Sequence, residues 1–187
     1  ADAMETRYGS KNHTPRMIKI CEILGRAACL SKEDIKTLSL AIPLHDIGKI
    51  RISDNIMLNP GSLDKEEMLE VRNHGQIGYN LLKDSNRPLI KTAALISRDH
   101  HEYWNGKGYP KGKSGEDIHI FCRIISLADA FDAMRSKRSY KEAWPLEKVM
   151  DVIAAEKGQQ FDPKIVEYLQ ENIVEIESIM QRFPSDS

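Results

Sequence analysis

The chain has 187 residues, of which 41% are hydrophobic, enough for one domain with a core of its own. A net charge of −1, with 29% charged residues of both signs, excludes a general basic field for a nucleic-acid polymer or an acidic membrane, so any phosphate must be bound locally. No apolar run approaches the ~20 residues that span a bilayer, and the three cysteines, Cys21, Cys29 and Cys122, form no CxxC pair, which points to reduced thiols serving as small core residues in a cytoplasmic protein.

Residues 1–12 show little periodicity and read as an irregular lead-in, a chain edge or a linker from an upstream domain, with the folded domain over 13–187. Asn12 is expected to cap a first helix that carries Pro15 in its first turn and repeats Ile20, Ile23, Leu24 and Ala27 at helical spacing, which sets His13 at a helix start. Ser31 with Asp34 resembles a capping box and opens a second helix through Leu38, Ala41, Ile42 and Leu44 to His45. Pro43 should kink that helix just before His45-Asp46, and Gly48 should end it. Ile50 to Gly61 reads as a connecting loop closed by Pro60-Gly61. Asp64 caps a third helix in which Met68, Val71, His74, Ile77 and Leu81 share one face, so His74 points inward. A fourth, from about Pro88, has Ile96 and His100 on one side and ends at His100-His101. Residues 102–117 form a long loop with Gly106, Gly108, Gly112 and Gly115 interleaved with Lys107, Lys111 and Lys113, the kind of loop that is functional or disordered. Helices resume over Ile118–Ser136 and Leu146–Lys157, with Gly158 as a stop. Asp162-Pro163 begins the last, amphipathic helix through Ile165, Tyr168, Leu169, Ile173, Ile176 and Met180. With no strand pattern, the expected class is all-α, a compact bundle of about seven helices.

His45-Asp46, His74, the pair His100-His101 and Asp129 are the donors that a site for more than one divalent metal needs. Imidazole offers a neutral nitrogen, and a carboxylate can bridge two ions. Each has a plainer reading when taken alone. His74 would be a core histidine satisfied by a hydrogen bond, and Asp129 with Asp132 a solvated helix face. The setting Leu127-Ala128-Asp129-Ala130-Phe131 is too apolar for a solvated face, and a carboxylate there wants a cation. Lys107, Lys111 and Lys113 read as solvated loop charges. Trp104 and Tyr109 either pack the loop against the core or stack on a base, and His119 reads as a surface or core-edge residue.

His45-Asp46-Ile47-Gly48-Lys49 together with His100-His101-Glu102-Tyr103-Trp104-Asn105-Gly106-Lys107-Gly108-Tyr109-Pro110 resembles the HD-GYP family of bacterial cyclic di-GMP phosphodiesterases, a branch of the HD superfamily of metal-dependent phosphohydrolases. Pro60-Gly61, His74 with Gly78, Ala128-Asp129 with Asp132, and Arg138, Tyr140 and Lys141 extend the likeness, which runs from about His13 to Val166. It implies a helical HD-domain bundle whose metal ligands are His13, His45, Asp46, His74, His100, His101 and Asp129, with Asp46 the bridging carboxylate and Asp132 behind the ligands. It also implies phosphate contacts from Lys49, Arg138 and Lys141, and a signature loop at Gly108-Tyr109-Pro110. The implied reaction is attack of a hydroxide held between the metals on phosphorus, opening cyclic di-GMP to linear pGpG and then GMP. Iron or manganese is the expected metal, with zinc, cobalt and nickel also compatible with mixed nitrogen and oxygen donors. An upstream sensor or receiver domain and diguanylate cyclase proteins are the implied partners, with no membrane contact by this domain.

Three positions depart from that pattern. Asn105 stands where Asp is frequent, and Ser139 where Pro is usual between Arg and Tyr. Members with three metals carry Glu four residues before the first ligand histidine, where this chain has Gly9; Glu5 is eight residues from His13, ~12 Å along a continuous helix. The expected count is therefore two ions, with Glu5 the candidate for a third. The alternatives are a non-catalytic module that binds a cyclic dinucleotide or a protein partner, and an HD phosphohydrolase acting on another nucleotide.

Overall fold

The computed structural model describes residues 12–59, 61–137 and 142–185, which are helical without strands. The elements are α1 (His13–Ala27), α2 (Lys32–Ala41), two 3-10 turns (Ile42–Leu44 and Ile47–Arg51), α3 (Asp54–Met57), α4 (Lys65–Arg72), α5 (His74–Leu82), α6 (Pro88–Asp99), a 3-10 turn (Gly115–Asp117), α7 (Ile120–Arg135), α8 (Leu146–Ala155), α9 (Pro163–Glu171) and α10 (Ile173–Arg182). The all-α expectation holds. Two of the expected helices are each broken in two, at Asn73 and at Asn172, and the expected loop after Ile50 contains the single turn α3.

The core forms where apolar stripes of α1, α2, α6, α7 and α9 meet. Met17, Ile20 and Leu24 of α1, Leu38 of α2, Ile96 of α6, Phe131 of α7 and Leu169 of α9 are fully buried there. Burying side chains of this size stabilises by about 1.5–3 kcal/mol each. Cys21 and Cys122 are buried among them, and burial pushes both thiols up. Cys29 departs from the core reading: it is exposed, at φ 57 just after α1.

Local signals held at several helix ends. Ser31 Oγ accepts from the Asp34 amide at 3.0 Å, Asp64 and Glu67 form a reciprocal capping box at α4, and Asp162 accepts from the Lys164 amide at 2.9 Å ahead of Pro163. Pro43 converts the end of the second helix into the first 3-10 turn.

Four local readings are corrected. Asn12 occupies the left-handed region and its side chain makes no cap; Nδ2 donates instead to the Pro184 carbonyl at 2.9 Å, tying the start of α1 to the C-terminal segment. Gly48 does not stop a helix but lies inside the second 3-10 turn, where a Cβ would sit 1.9 Å from the His74 carbonyl oxygen. That glycine is required by the close approach of the turn to α5. The stripe from Met68 to Leu81 is not one buried face, because α4 buries nothing and Met68 and Leu81 are exposed; the break at Asn73 lets α5 turn His74 inward by itself. Gly158, at φ 75, belongs to the turn after α8, whose last helical residue is Ala155.

Candidate metal centre

Four ligand-candidate histidines are oriented in one way. His45 Nδ1 lies 2.8 Å from the Ile42 carbonyl, His74 Nδ1 2.6 Å from the Val71 carbonyl, and His100 Nδ1 3.0 Å from the carbonyls of Ile96 and Ser97. The Ile42, Val71 and Ile96 carbonyls each accept a backbone N–H at the end of their turn or helix and keep a second lone pair, to which the histidine just past that end donates Nδ1–H. A carbonyl can only accept, so Nδ1 carries the proton and the Nε2 lone pair faces the opposite way. His13 reaches the same state through a carboxylate, Asp132 Oδ2, at 2.8 Å.

The Nε2 atoms converge. His74, His100 and His101 present ring nitrogens within 4.8 Å of one another, and so do His13 and His45 with a carboxylate oxygen of Asp129. Asp46 stands between the two trios. Its Oδ1 is 3.2 Å from His74 Nε2 and 3.9 Å from His100 Nε2, while its Oδ2 is 3.3 Å from His45 Nε2 and 2.5 Å from Lys49 Nζ. One oxygen thus faces each side.

Electrostatics separates the trios. Burial, reinforced by neighbouring imidazoles, pushes His100 down to about 3 and holds His101 well below the ordinary range, so both are neutral, as a ligand must be. Burial also opposes charge on His45, but Asp46 and Asp129 outweigh it and raise that group to about 9. For Asp46, burial would favour the acid form; Lys49 and His45 override it and keep the carboxylate ionised. His45 Nε2 and Asp46 Oδ1 are buried without a hydrogen-bond partner among the described residues. A divalent cation satisfies such atoms, and a donor set of imidazoles and carboxylates suits transition metals, so the residues fit the group. An ion taking His45 Nε2 releases the proton held there.

Asp132 is more than a background carboxylate. Besides His13 it pairs with Arg16 through Nε, and Arg16 Nη2 lies 3.1 Å from its second oxygen; burial would raise Asp132, and His13 and Arg16 hold it low. Arg16 is itself fully buried and also donates to Ser136 Oγ and to the Phe183 carbonyl, both at 2.9 Å. Sequence reasoning missed Arg16; the available signal was an arginine set beside Met17 on the apolar stripe of α1.

The loop after α6 is organised by two buried acids that sequence reasoning also missed. Glu102 accepts the backbone amides of Lys111 at 2.6 Å and Lys113 at 3.0 Å. Asp99 pairs with Arg98 and with Lys113 Nζ at 2.8 Å. Lys113 is therefore structural, whereas Lys107 and Lys111 are exposed as expected. Gly108 packs where a Cβ would meet the Tyr103 amide nitrogen at 2.2 Å, and a cis peptide joins Tyr109 to Pro110. The Tyr109 ring stacks on His101 with centroids 4.9 Å apart, and Arg123 lies over Trp104 at 5.7 Å, so both aromatics pack within the fold. His119 has a role that sequence did not suggest: Nδ1 accepts the Phe121 amide as the N-cap of α7. Arg138, Ser139, Lys141, Gly9 and Glu5 lie outside the described residues.

Among known proteins, the chain is 39% identical over 188 residues to the cyclic di-GMP phosphodiesterase response regulator RpfG of Xanthomonas campestris, aligning over 100% of this chain and 50% of that protein. It is also 39% identical over 185 residues to 3′3′-cGAMP-specific phosphodiesterase 2 of Vibrio cholerae, over 98% of this chain and 35% of that one. The chain thus spans half or less of the length of these relatives. A solved HDG"Y"P protein of Bdellovibrio bacteriovorus shares the fold, with TM-score 0.67 and 19% identity over 88% of this chain and 52% of that one. Residues 3–165 match the HD domain family, and with the His45-Asp46 pair at the heart of the site the chain belongs to that family.

Proposed function

We propose that residues 13–187 form the catalytic domain of a metal-dependent phosphodiesterase that opens cyclic di-GMP to linear pGpG and cuts this on to GMP. The observation that carries the reading is Asp46, with one oxygen toward each donor trio. His13, His45 and Asp129 would hold one divalent ion, His74, His100 and His101 a second, and Asp46 both. Iron or manganese fits best, with zinc, cobalt or nickel as alternatives. Such ions, when bound, supply Lewis acidity and a nucleophilic water near neutral pH.

The chain's own residues do the rest. Lys49 keeps an ammonium against Asp46 at the site, where it would offset phosphate charge. Arg138 suits a bidentate grip on phosphate, and Lys141 would add a point charge. Gly108-Tyr109-Pro110 closes one side through the Tyr109–His101 stack. The free cysteines support a reducing, cytoplasmic setting, no described helix is long and apolar enough to cross a membrane, and a relative named as a response regulator supports control by an upstream domain.

A second reading, hydrolysis of 3′3′-cyclic GMP-AMP, is favoured by the equal 39% identity to a relative named for that substrate. Product chromatography on both dinucleotides, with and without chelator, separates the readings. Chelator-sensitive release of pGpG supports the first, and turnover of the mixed dinucleotide alone supports the second. Glu5→Gln should leave metal content at two ions and turnover unchanged, and a third ion in the unaltered chain that this variant loses would overturn the count of two.

A further inference from the structure

A pocket of about 440 Å³ opens between α4 and the signature loop, lined by Leu69, Glu70, Arg72, Asn73, Tyr109 and Pro110. It adjoins the metal centre on two sides. Asn73 immediately precedes His74, and the Tyr109 ring stacks on His101. Leu69 shares a side of the helix with Arg72 and with Asn73, the residue that caps the end of α4, three and four positions on, and Glu70 lies on the flank.

The polar groups of this pocket are uncommitted. Among the described residues no hydrogen bond or ion pair engages the side chains of Glu70, Arg72 or Asn73, whereas Asp64 and Glu67 on the same helix are consumed by the capping box. Glu70 and Arg72 are two residues apart, a spacing at which helical side chains do not pair with each other, so the acceptor and the donor line the pocket from different flanks of α4. The Arg72 guanidinium lies 5.3 Å from the Tyr109 ring centroid, which steers it toward the loop and the centre. Leu69 is 65% exposed at the pocket wall, an apolar surface that the fold itself does not cover.

We propose that this pocket holds a guanine base of the substrate, an inference that rests on the phosphodiesterase reading. Arg72 would donate both fork N–H groups to guanine O6 and N7, the pairing its geometry favours. Glu70 would accept from N1–H and the exocyclic amine, and Leu69 with Pro110 would cover the ring. Adenine offers the opposite pattern: its amine would face Arg72 and its N1 lone pair would face Glu70. The pocket therefore selects guanine-bearing dinucleotides. Cyclic di-GMP and 3′3′-cyclic GMP-AMP each satisfy it with one base, and cyclic di-AMP satisfies it with none.

The test uses the full metal-loaded chain and titrates GMP against AMP by calorimetry. GMP should bind on the order of tenfold tighter, the discrimination expected of a good bidentate pair. Arg72→Ala and Glu70→Gln should each remove most of that preference by weakening GMP and not AMP, and Arg72→Lys, which keeps the charge but loses the fork, should behave like Arg72→Ala. Chelator-sensitive cleavage of bis(p-nitrophenyl) phosphate, a diester without a base, should be unchanged in all three variants. Equal binding of GMP and AMP by the unaltered chain, or a guanine preference that survives the substitutions, overturns the proposal. Loss of bis(p-nitrophenyl) phosphate cleavage in the variants also overturns it, since the residues would then act on the centre itself. A guanine preference that the variants abolish, in a chain that cleaves no diester, sinks the hydrolase reading and leaves the pocket standing.

Discussion

The two donor trios are assembled by different physics. His74, His100 and His101 sit where α5 crosses α6 and the second 3-10 turn, a junction so close that Gly48 and Gly78 have no room for a Cβ. His74 and His100 are buried, and burial with the neighbouring imidazoles suppresses charge on His100 and His101, so those two nitrogen donors stand ready without losing a proton. His13, His45 and Asp129 are held by charge instead. His13 leans on Asp132, which leans on Arg16, and Asp46 and Asp129 favour a proton on His45. Asp129 and His13 are also more exposed, at 26% and 13% of their side chains. Backbone packing sets one half of the centre, and a relay of ion pairs makes the other half polar, with a proton favoured on His45. Asp46 couples the halves.

The largest effect should come from removing that coupling. Asp46→Ala should abolish turnover of cyclic di-GMP and lower metal content at both trios, because both lose a donor. Full metal content by elemental analysis would show that the halves are independent.

Next is an attack on the charge-held half alone. Asp132→Ala leaves the Arg16 guanidinium buried without its counter-charge, which should cost about 3–5 kcal/mol of stability. His13 also loses its orientation, so one ion should go while the one at His74, His100 and His101 stays. Denaturant unfolding and metal analysis read the two effects separately; loss of both ions in a folded variant would break the comparison.

The packing-held half is probed by Gly48→Ala. A methyl group at that position meets the His74 carbonyl and the Gly78 amide nitrogen, both backbone, so α5 must move. Overpacking of this kind costs about 1–3 kcal/mol. It should weaken the ion at the imidazole trio and spare the other, the mirror image of Asp132→Ala.

The smallest effect concerns a histidine in neither trio. Burial and Arg123 depress His119 below its ordinary value of 6.5, and it is the neutral ring that can accept the Phe121 amide. A group with a depressed folded value contributes its stability above the unfolded value and loses it as the pH falls through the folded one. The cap of α7, worth up to about 1 kcal/mol, should therefore be intact above pH 6.5 and fade in acid. His119→Asn keeps a cap and should flatten that part of the stability profile without changing turnover. An unchanged profile would show that the ring carries no such load.

Much of this architecture was legible along the chain because the signals are local. Ser31, Asp64 and Asp162 cap helices through atoms two or three residues away, and Pro43 breaks an α-helix wherever it occurs, so no tertiary information was needed. Asn12 failed as a cap because its backbone is left-handed and not extended, and its side-chain amide is turned to donate to the distant Pro184 carbonyl. Gly48 was misread for a related reason: sequence shows that a glycine is present but not which backbone approaches it.

The sequence by itself determined the all-α class, the inventory of histidines and carboxylates, and the family likeness that grouped them, since each depends on residue identity and short-range periodicity. Tertiary structure alone decided how those donors divide into two trios, which oxygen of Asp46 faces which trio, and that Arg16, Asp99 and Glu102 are the buried charges holding the site and its loop in place. These depend on groups far apart in sequence coming within hydrogen-bond distance. His13 and Asp132, 119 residues apart in the chain, come within 2.8 Å of each other only when α1 packs on α7.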